Sequence, residues 1–455
     1  MTDSARLAAL DCVMAVTVDD AYANLVLPSI VKRRGLSGRD AGFATELAYG
    51  SLRMQGFYDA VISAASRRDP ESLDPVVRAV LWLGAHQALS MNTPAHAAVS
   101  ETVDLVVASG ARKARGFVNA VMRRITERSV EAWQARVSPG NSRDAIAVRT
   151  SHPRWIVNQL ERSLAARGRG SDIEALLNAH NTPARVTLVA RPGLIARDAL
   201  VEQSGGSPTR LSPFGVSAAG GDVADIPAIA AGTAGVQDEG SQLAALTLAS
   251  AAARAVSNKE RWLDMCAGPG GKTALLGAIA ADRDATVDAI ELHKHRAELV
   301  RNSVRAVPHA VVSVHHADAL EWDAGTYDRI LLDAPCTGLG ALRRRPESRW
   351  RRTEGDLADL THLQRRLLEK AQALLAPGGV IAYVTCSPVL AETREIVERS
   401  GLASIDARPV LADVTQTATN EWGDGPDVQL WTHEHGTDSM YIALLTHMSG
   451  TRFES

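Results

Sequence analysis

The chain has 455 residues, a length that predicts two or three domains with substantial hydrophobic cores. Its composition is that of an ordinary globular protein, and its formal net charge of −3 argues against a surface that binds nucleic acid throughout. The four cysteines lack paired metal-binding spacing, and no apolar run is long enough to cross a bilayer. These features predict a cytoplasmic protein with reduced thiols, no metal site and no membrane contact.

The first 130 residues have the pattern of a helical bundle. Apolar side chains recur at helical spacing, as at Leu7, Leu10 and Met14. Asp74-Pro75 supplies the capping residue and the first-turn proline that begin a helix. No alternating strand pattern interrupts these stretches, so residues 1–130 are predicted to form an all-α domain.

Two basic clusters of this domain lie beside glycine-containing turns. A solvated basic face explains such charges as well as phosphate contacts do. The stretches AGFATELAYGSLR and ARKARGFVNAVMRRI, however, resemble the NusB-type RNA-binding domain at the front of one family of RNA methyltransferases. The resemblance implies that the second cluster binds RNA through Arg112, Lys113 and Arg115.

The middle of the chain is less regular. Residues 131–150 weaken into serine, proline, glycine and asparagine and are predicted to be a linker. A helix from His152 and a strand at Arg185–Ala190 predict that residues 151–235 form a small α+β module of RRM or ferredoxin-like type. Its basic residues are scattered and indicate no site.

Residues 236–455 alternate between strands and helices, which predicts a parallel, doubly wound, Rossmann-like α/β sheet. Pro377-Gly378-Gly379 is expected to end a long helix over Asp356–Leu375. A terminal antiparallel pair is expected from Val428–Trp431 and Met440–Leu445. The five predicted parallel strands are Arg261–Met265, Thr286–Ile290, Val311–His315, Tyr327–Leu332 and Val380–Thr385.

The first of these strands runs into the glycine turn CAGPGGKT. A phosphate-binding P-loop needs a glycine where Cys266 stands, and a dinucleotide fingerprint needs one where Thr273 stands. A nucleoside without a pyrophosphate, such as S-adenosylmethionine, fits the turn, and a purely structural turn is the alternative. The cofactor-binding residues predicted here are Cys266, Ala267, Gly268, Pro269, Gly270, Gly271 and Lys272.

Acidic residues close the next two strands. Glu291 follows the second strand, where a carboxylate accepts hydrogen bonds from ribose hydroxyls. Asp318 follows the third strand and is predicted to accept a hydrogen bond from the amino group of adenine. Each acid alone is a common loop residue, but their succession after the glycine turn favours S-adenosylmethionine as the cofactor.

Two cysteine motifs, DAPC and TCS, follow the fourth and fifth strands. In the usual strand order 3-2-1-4-5 these strands are neighbours, so Asp333, Cys336 and Cys386 are predicted to converge beside the methyl donor. A single cysteine of this kind is most often a buried structural residue. Two at adjacent strand ends favour catalysis.

This set of groups suits methylation of cytosine at carbon 5. That carbon is a poor nucleophile until a thiolate adds to carbon 6, so covalent catalysis divides one difficult step into easier ones. A carboxylate such as Asp333 stabilises the charge that develops in the ring. A base must then remove the carbon-5 proton, and the target base must be unstacked to enter the pocket. The geometry does not decide which thiol attacks.

The motifs CAGPGGKT, DAPCTGLG and YVTCS resemble those of the RNA (cytosine-5) methyltransferases. Together with the helical front domain, the chain is similar to the RsmB/Sun (Fmu) branch of 16S rRNA methylases from about Ala5 to Leu445. This resemblance implies that Cys386 is the nucleophile, that Cys336 assists product release and that Asp333 also contacts the cofactor.

Three further comparisons concern the substrate. The run RRRPESRW resembles the family's substrate-binding loop, which implies RNA contacts by Arg343, Arg344, Arg345 and Arg349. DNA cytosine methylases use a Pro-Cys thiol and a Glu-Asn-Val acid, and this chain has no Glu-Asn-Val. The final strand reads TDSMYIALL where the family has Asp-Gly-Phe-Phe, a departure that we interpret as a packing variation.

The expected protein is thus a monomeric, S-adenosylmethionine-dependent methyltransferase whose partner is 16S rRNA. A tRNA cytosine-5 methyltransferase shares the catalytic motifs, and only the front domain argues against it. A non-catalytic NusB-like RNA-binding or antitermination factor is the alternative from another class. The sequence identifies neither the modified nucleotide nor whether naked RNA or an assembling subunit is the substrate.

Overall fold

The computed structural model describes residues 3–253 and 259–448. The chain divides into two compact units. The first unit comprises Met1–Ala165, Arg169–Pro183 and Leu342–Arg351, and the second comprises Ala166–Gly168, Ala184–Ala341 and Arg352–Ser455.

The first unit is helical, and its large apolar core is lined by leucine, valine and alanine side chains of successive helices. Local capping begins several of them: Asp74, for example, accepts a hydrogen bond from the N–H of Val76 next to the first-turn Pro75. Its consecutive helices are α1 (Ser4–Thr17), α2 (Ala23–Arg33), α3 (Gly38–Ser66), α4 (Pro75–Leu89), α5 (Ala95–Ala108), α6 (Arg115–Thr126), α7 (Val130–Val137), α8 (Arg143–Arg149), α9 (Arg154–Ala165) and α10 (Ile173–His180).

The predicted linker over residues 131–150 is wrong, because it contains α7 and α8. Ser129 and Ser142 cap these two short helices through their hydroxyls. Trp133 on α7 is buried, and its Nε1 donates to the carbonyl of Ile125 at 2.9 Å. The serines and glycine that suggest a flexible linker in fact surround these helices as caps and turns.

The second unit begins with a small antiparallel sheet. Its strands are β1 (Thr187–Ala190), β2 (Ser207–Pro208), β3 (Gly215–Ser217) and β4 (Ala234–Val236), in the order β2-β3-β1-β4. Helix α11 (Arg197–Ser204) connects the first two strands and α12 (Pro227–Ala231) the last two. This βαββαβ arrangement is the ferredoxin-like one. The predicted module 151–235 is divided, since α9 and α10 fall in the first unit.

The second sheet of this unit has eight strands. Its strands are β5 (Arg261–Asp264), β6 (Thr286–Glu291), β7 (Val312–His316), β8 (Tyr327–Asp333), β9 (Leu375–Thr385), β10 (Ala403–Ile405), β11 (Val428–Gln429) and β12 (Tyr441–Thr446). The parallel part has the order β7-β6-β5-β8-β9, which confirms the predicted 3-2-1-4-5 topology. On the far side of β9, β12 pairs antiparallel with β9, β10 and β11.

Helices flank this sheet on both faces, and apolar clusters lie between the helices and the strands. The helices are α13 (Glu239–Ser250), α14 (Gly271–Asp282), α15 (Lys294–Ser303), α17 (Glu354–Ala373), α18 (Arg394–Glu398), α19 (Ala407–Thr415) and α20 (Thr432–His435), while α16 (Ser348–Arg351) belongs to the first unit. No helix among the described residues is both long and apolar enough to cross a membrane.

One sequence prediction about this sheet is wrong. Pro377-Gly378-Gly379 does not terminate α17, which ends earlier, but lies inside β9. Leu375 pairs with Tyr327 and Val380 with Arg329, so the intervening residues of β9 bulge out of the ladder. Gly378 has φ +80° within this bulge, a conformation that favours glycine.

Candidate functional site

The glycine turn after β5 leads directly into α14 and packs tightly on β6 and α15. Gly270 has φ +105°, and a Cβ there would lie 2.8 Å from the Cα of Val300. A Cβ on Gly268 would lie 2.3 Å from Oε2 of Glu291. A side chain is excluded at Gly270, and one at Gly268 would displace the carboxylate of Glu291. The turn therefore presents backbone groups and the N-terminus of α14 to a ligand.

Glu291 is buried at the end of β6 and is tied to this turn. Its Oε2 accepts a hydrogen bond from the N–H of Gly268 at 3.1 Å, and its Oε1 accepts one from the N–H of His293 at 2.9 Å. Asp318 is exposed after β7, and its Oδ1 accepts from the N–H of Leu320 at 2.9 Å. Both acids occupy the strand ends predicted for contacts to the ribose and the base.

Sequence reasoning missed two residues beside the turn. Gln237 precedes α13, and its buried Oε1 has no hydrogen-bond partner among the described residues. Its side chain lies 3.6 Å from the position of a Cβ on Gly271. Leu292, next to Glu291, is 55% exposed despite being apolar. S-adenosylmethionine has an ammonium group and an aromatic base. Gln237 Oε1 can accept a hydrogen bond from the ammonium group, and Leu292 offers an apolar surface to the base, so both residues fit this cofactor.

Lys272 and Asp333 form an ion pair in the centre of the site. Lys272 Nζ lies 2.8 Å from Oδ2 of Asp333, and the lysine side chain is only 13% exposed. Burial lowers the pKa of Lys272, but the charge and hydrogen bond of Asp333 outweigh it and raise the pKa overall, with a further contribution from Cys386. The ammonium group is therefore held in its charged form near both the carboxylate and the thiol.

Asp264 adds a second buried acid beneath the turn. Burial first, and then the charge of Asp333, raise its pKa to about 7 against the hydrogen bond donated by Thr273 Oγ1 at 2.7 Å. In the sequence, Asp264 is only an acid within an apolar strand, and no pattern assigns it a role. Its contact with Thr273 fixes the first turn of α14 to the end of β5.

The two motif thiols meet. Cys386 follows β9 directly and Cys336 lies just beyond β8, and their sulfur atoms are 3.4 Å apart. Both residues are half-buried. The hydrogen bond to Cys386, then burial, then the charge of Cys386 raise the pKa of Cys336 well above its usual value. Either sulfur can act as the donor in this contact.

The third cysteine of this unit has a different environment. Burial, followed by the charges of Asp264 and Asp333, raises the pKa of Cys266 far above its usual value. A thiol held protonated in this way is not a nucleophile. The fourth, Cys12, lies in the apolar core of the first unit.

The arginines after Cys336 do not share one environment. Arg349 is fully buried within the first unit, where its guanidinium donates to the carbonyl of Ser151 at 3.0 Å and to Oδ1 of Asn181 at 2.8 Å. The prediction of an RNA contact by Arg349 is therefore wrong, because its side chain is fully buried and its Nη1 donates to groups inside the protein. Arg345 is exposed, and its guanidinium lies over the ring of Tyr22. RNA contacts by Arg343, Arg344 and Arg345 stay predictions.

The predicted basic cluster of the helical unit is on the surface. Arg112 and Lys113 lie in a single 3-10 turn, Arg112–Ala114, and Arg115 begins α6. All three side chains are exposed. Their contact with RNA is not tested by this geometry. Within residues 3–253 and 259–448, no group of three or more His, Cys, Asp or Glu side chains could hold a metal ion.

Comparisons with known proteins agree with both units. The family model described as 16S rRNA methyltransferase RsmB/F matches residues 251–446, and the NusB family model matches residues 3–127. A Mycobacterium tuberculosis protein whose name says methyltransferase without a substrate is 44% identical over 98% of this chain and 97% of its own length. Ribosomal RNA small subunit methyltransferase B of Pseudomonas putida is 32% identical, covering 98% of this chain and 99% of its own.

Solved structures share the fold. The crystal structure of PH0851 has a TM-score of 0.77 at 21% identity and covers 98% of this chain and 99% of its own. NSun6 from Pyrococcus horikoshii, solved with the S-adenosylmethionine analogue SFG, has a TM-score of 0.53 at 17% identity and covers 64% of this chain and 98% of its own. At these identities the likeness concerns the fold alone.

The sheet, the glycine turn and these relatives define the class: an enzyme that methylates RNA and uses S-adenosylmethionine as its cofactor. The predicted fold class is confirmed, with a NusB domain before a Rossmann-like catalytic domain. The chain belongs to the RsmB/F family of 16S rRNA methyltransferases.

Proposed function

We propose that this protein methylates carbon 5 of a cytosine in 16S rRNA through a covalent bond between Cys386 and carbon 6 of the base. The observation that carries the proposal is the 3.4 Å separation of the Cys336 and Cys386 sulfurs at adjacent strand ends. The ion pair of Lys272 and Asp333 lies in the same site. Two thiols and a carboxylate are the groups that this chemistry uses, and the ammonium group of Lys272 favours the charged form of the attacking thiol.

The first step is attack by Cys386. The ammonium group of Lys272 interacts favourably with the thiolate of Cys386, and this attraction is mutual. The thiol proton goes to solvent, which reaches this half-buried residue. A new bond forms between the sulfur and carbon 6, and the electron pair of the ring's 5,6 double bond moves to carbon 5 and into the ring. Asp333 stabilises the ring at N3 and the exocyclic amine.

Bound S-adenosylmethionine supplies an activated methyl group on a positively charged sulfur. Gln237, Glu291 and Asp318 are the residues that would hold it, together with the backbone of the glycine turn. Carbon 5, now enamine-like, is nucleophilic enough to take that methyl group. The ring then carries both the methyl group and a proton at carbon 5.

Cys336 completes the reaction. Before attack, its proton is held by the hydrogen bond and the charge of Cys386. Once Cys386 is bonded to carbon, its sulfur is an uncharged thioether, so the hydrogen bond that raises the pKa of Cys336 most is weakened and the charge of Cys386 is gone. Cys336 can then lose its proton to solvent and remove the carbon-5 proton as a thiolate. The electron pair of that C–H bond restores the double bond and expels Cys386 as a thiolate.

The assignment of 16S rRNA rests on the names of the relatives and on the NusB domain. Full-length relatives in Pseudomonas putida and Bacillus subtilis carry the name ribosomal RNA small subunit methyltransferase B, the latter as a probable assignment, and the chain matches them over 98% and 96% of its length. A tRNA substrate would require the same catalytic residues, so the test must compare the two RNAs.

A methylation assay with product analysis separates these possibilities. The purified chain, with methyl-labelled S-adenosylmethionine, is offered 16S rRNA as a transcript, partly assembled small subunits and total tRNA. Nucleoside mass spectrometry is expected to detect 5-methylcytidine in 16S rRNA alone, and bisulfite sequencing then locates it. Product in tRNA alone would support the tRNA alternative. An absence of S-adenosylmethionine binding by calorimetric titration would support a non-catalytic factor.

A further inference from the structure

A buried carboxylate lies behind the two thiols. Glu392 ends the short 3-10 turn Leu390–Glu392 that follows β9, and it is 0% exposed. Its Oε1 accepts hydrogen bonds from the N–H of Thr337 at 2.7 Å and from Nε2 of Gln364 at 3.2 Å. Its Oε2 accepts one from the hydroxyl of Thr337 at 2.5 Å. Both carboxylate oxygens are therefore occupied.

These bonds connect the two cysteine motifs. Thr337 is the residue after Cys336, and Ser387 is the residue after Cys386. Their hydroxyl oxygens are 3.2 Å apart, and the Ser387 side chain is also hydrogen-bonded to Glu392. One side chain thus contacts the residue that follows each thiol.

The motif of Cys336 is also held from its other side. Gln364 on α17, which donates to Glu392, donates through the same Nε2 to the carbonyl of Pro335 at 2.8 Å. Pro335 is the residue before Cys336. The Cys336 motif is therefore anchored on both sides of the thiol by a network that includes Glu392.

Structural packing alone does not account for this carboxylate. Burial raises the pKa of Glu392 against the opposing hydrogen bonds of Ser387 and Thr337. Within the described part of the chain, no cation pairs with it. A buried acid without a counterion costs free energy that an apolar side chain would avoid. What the acid provides is several acceptor positions for converging donors.

We propose that Glu392 is a positioning residue that holds the Cys336 loop against the end of β9, so that the two sulfurs remain in reach of one base. The inference rests on the proposed function. The two thiols depend on it unequally. Cys386 directly follows β9, which pairs with β8 on one side and β12 on the other. Cys336 lies in an irregular loop. Loss of Glu392 therefore displaces Cys336 more, and slows release of the product more than attack.

The test follows the covalent adduct in single-turnover reactions on denaturing gels. Glu392→Gln keeps the size of the side chain but replaces one carboxylate oxygen with an NH₂ group. That group cannot accept the hydrogen bonds that Thr337 or Gln364 donates to Glu392. We expect its adduct to form within about twofold of the normal rate and to decay at least about tenfold more slowly. The matched control is Glu398→Gln, which removes an exposed carboxylate at the end of α18 and leaves both rates unchanged.

A double variant tests the route of the effect. If Glu392 acts through Thr337, then Thr337→Val slows decay as well, and the double variant is no slower than the slower single one. Thr337→Ser keeps the hydroxyl and is expected to restore decay. If Glu392→Gln does not fold, Thr337→Val and Thr337→Ser carry the test. Equal slowing of both rates, or additive effects in the double variant, would overturn the inference.

The proposed function is checked in the same experiment by Cys336→Ala. If this variant accumulates an adduct while Glu392→Gln decays normally, the positioning role is wrong and the proposed function stands. If Cys336→Ala accumulates none while its Cys386 partner is intact, the proposed function itself fails.

Discussion

Cys336 and the arginine segment 343–351 both follow β8 in the chain, but they belong to different parts of the protein. Cys336 lies beside Cys386 in the second compact unit, whereas Arg349 is buried in the first. Cys336 and Cys386 are 50 positions apart in the chain and meet within 3.4 Å. Arg349, much closer in sequence to Cys336, belongs to the first compact unit and is buried there. The difference teaches that a residue close to the end of a parallel strand has a location fixed by the topology of the sheet. Arg349, on the short helix α16, lies instead where its own burial and hydrogen bonds place it.

The largest effect is expected at Cys386. Cys386→Ser replaces the thiolate by a hydroxyl that remains protonated at neutral pH, and turnover should fall by at least about 10⁴-fold. Methyl transfer from labelled S-adenosylmethionine to 16S rRNA measures it. Cys12→Ala, which changes a thiol of the first unit's core, should keep normal kcat in the folded fraction. If Cys386→Ser retained activity, Cys386 would not be the nucleophile, and the proposed role of the thiol pair would be wrong.

Cys336→Ala should produce the next largest effect, a fall in turnover of about 10³-fold, because the base that removes the carbon-5 proton is lost. In contrast to Cys386→Ser, it should still attack the base. Methylated RNA should then stay attached to the protein and appear as a slowly migrating band on a denaturing gel. Normal turnover in this variant would remove Cys336 from the mechanism.

The different burial of Arg349 and Arg345 predicts that their substitution affects stability to different extents. Arg349→Met should lower the free energy of unfolding of the first unit by about 3 kcal/mol, since it leaves the carbonyl of Ser151 and Oδ1 of Asn181 without their donor. Arg345→Met, at an exposed position in the same segment, should change it by less than about 0.5 kcal/mol. Denaturant unfolding monitored by circular dichroism compares the two. Equal losses would show that burial does not separate these arginines.

The smallest effect concerns the exposed cluster on the helical unit. Replacing Arg112, Lys113 and Arg115 by alanine should weaken RNA binding about tenfold and reduce its dependence on salt concentration. Fluorescence anisotropy with labelled 16S fragments at several salt concentrations measures both. The control is Arg154→Ala, whose charge is already paired with Asp144. An unchanged salt slope in the triple variant would exclude the cluster from RNA binding.

The sequence was most informative where periodicity and topology act together. The order of the parallel strands follows from their succession along the chain, and it brings Asp333, Cys336 and Cys386 to one edge of the sheet. The terminal pair formed by β11 and β12 was also predicted. These features require no knowledge of side-chain packing.

The rest depended on tertiary contacts that leave little trace in a sequence. Glu392 reads as an ordinary acid in a turn, and its role is visible only when Thr337 and Ser387 are seen beside it. In the sequence, Arg349 is one of several arginines in a basic run and cannot be told apart from those on the surface. Only its contacts with Ser151 and Asn181 show that it is buried. The sequence does not predict α7 because the helix is short, has only one fully buried side chain, Trp133, and is followed directly by the turn-forming stretch SPGNSR.

In the proposed mechanism, Cys386 bonds to the base and Cys336 allows the methylated base to be released. Mass spectrometry of the peptide that remains attached to RNA after reaction of Cys336→Ala tests this most directly. We predict a peptide containing Cys386 linked through sulfur to a methylated cytosine of 16S rRNA. Attachment through any other residue, or an adduct formed by Cys386→Ser with Cys336 as the linked residue, would contradict it.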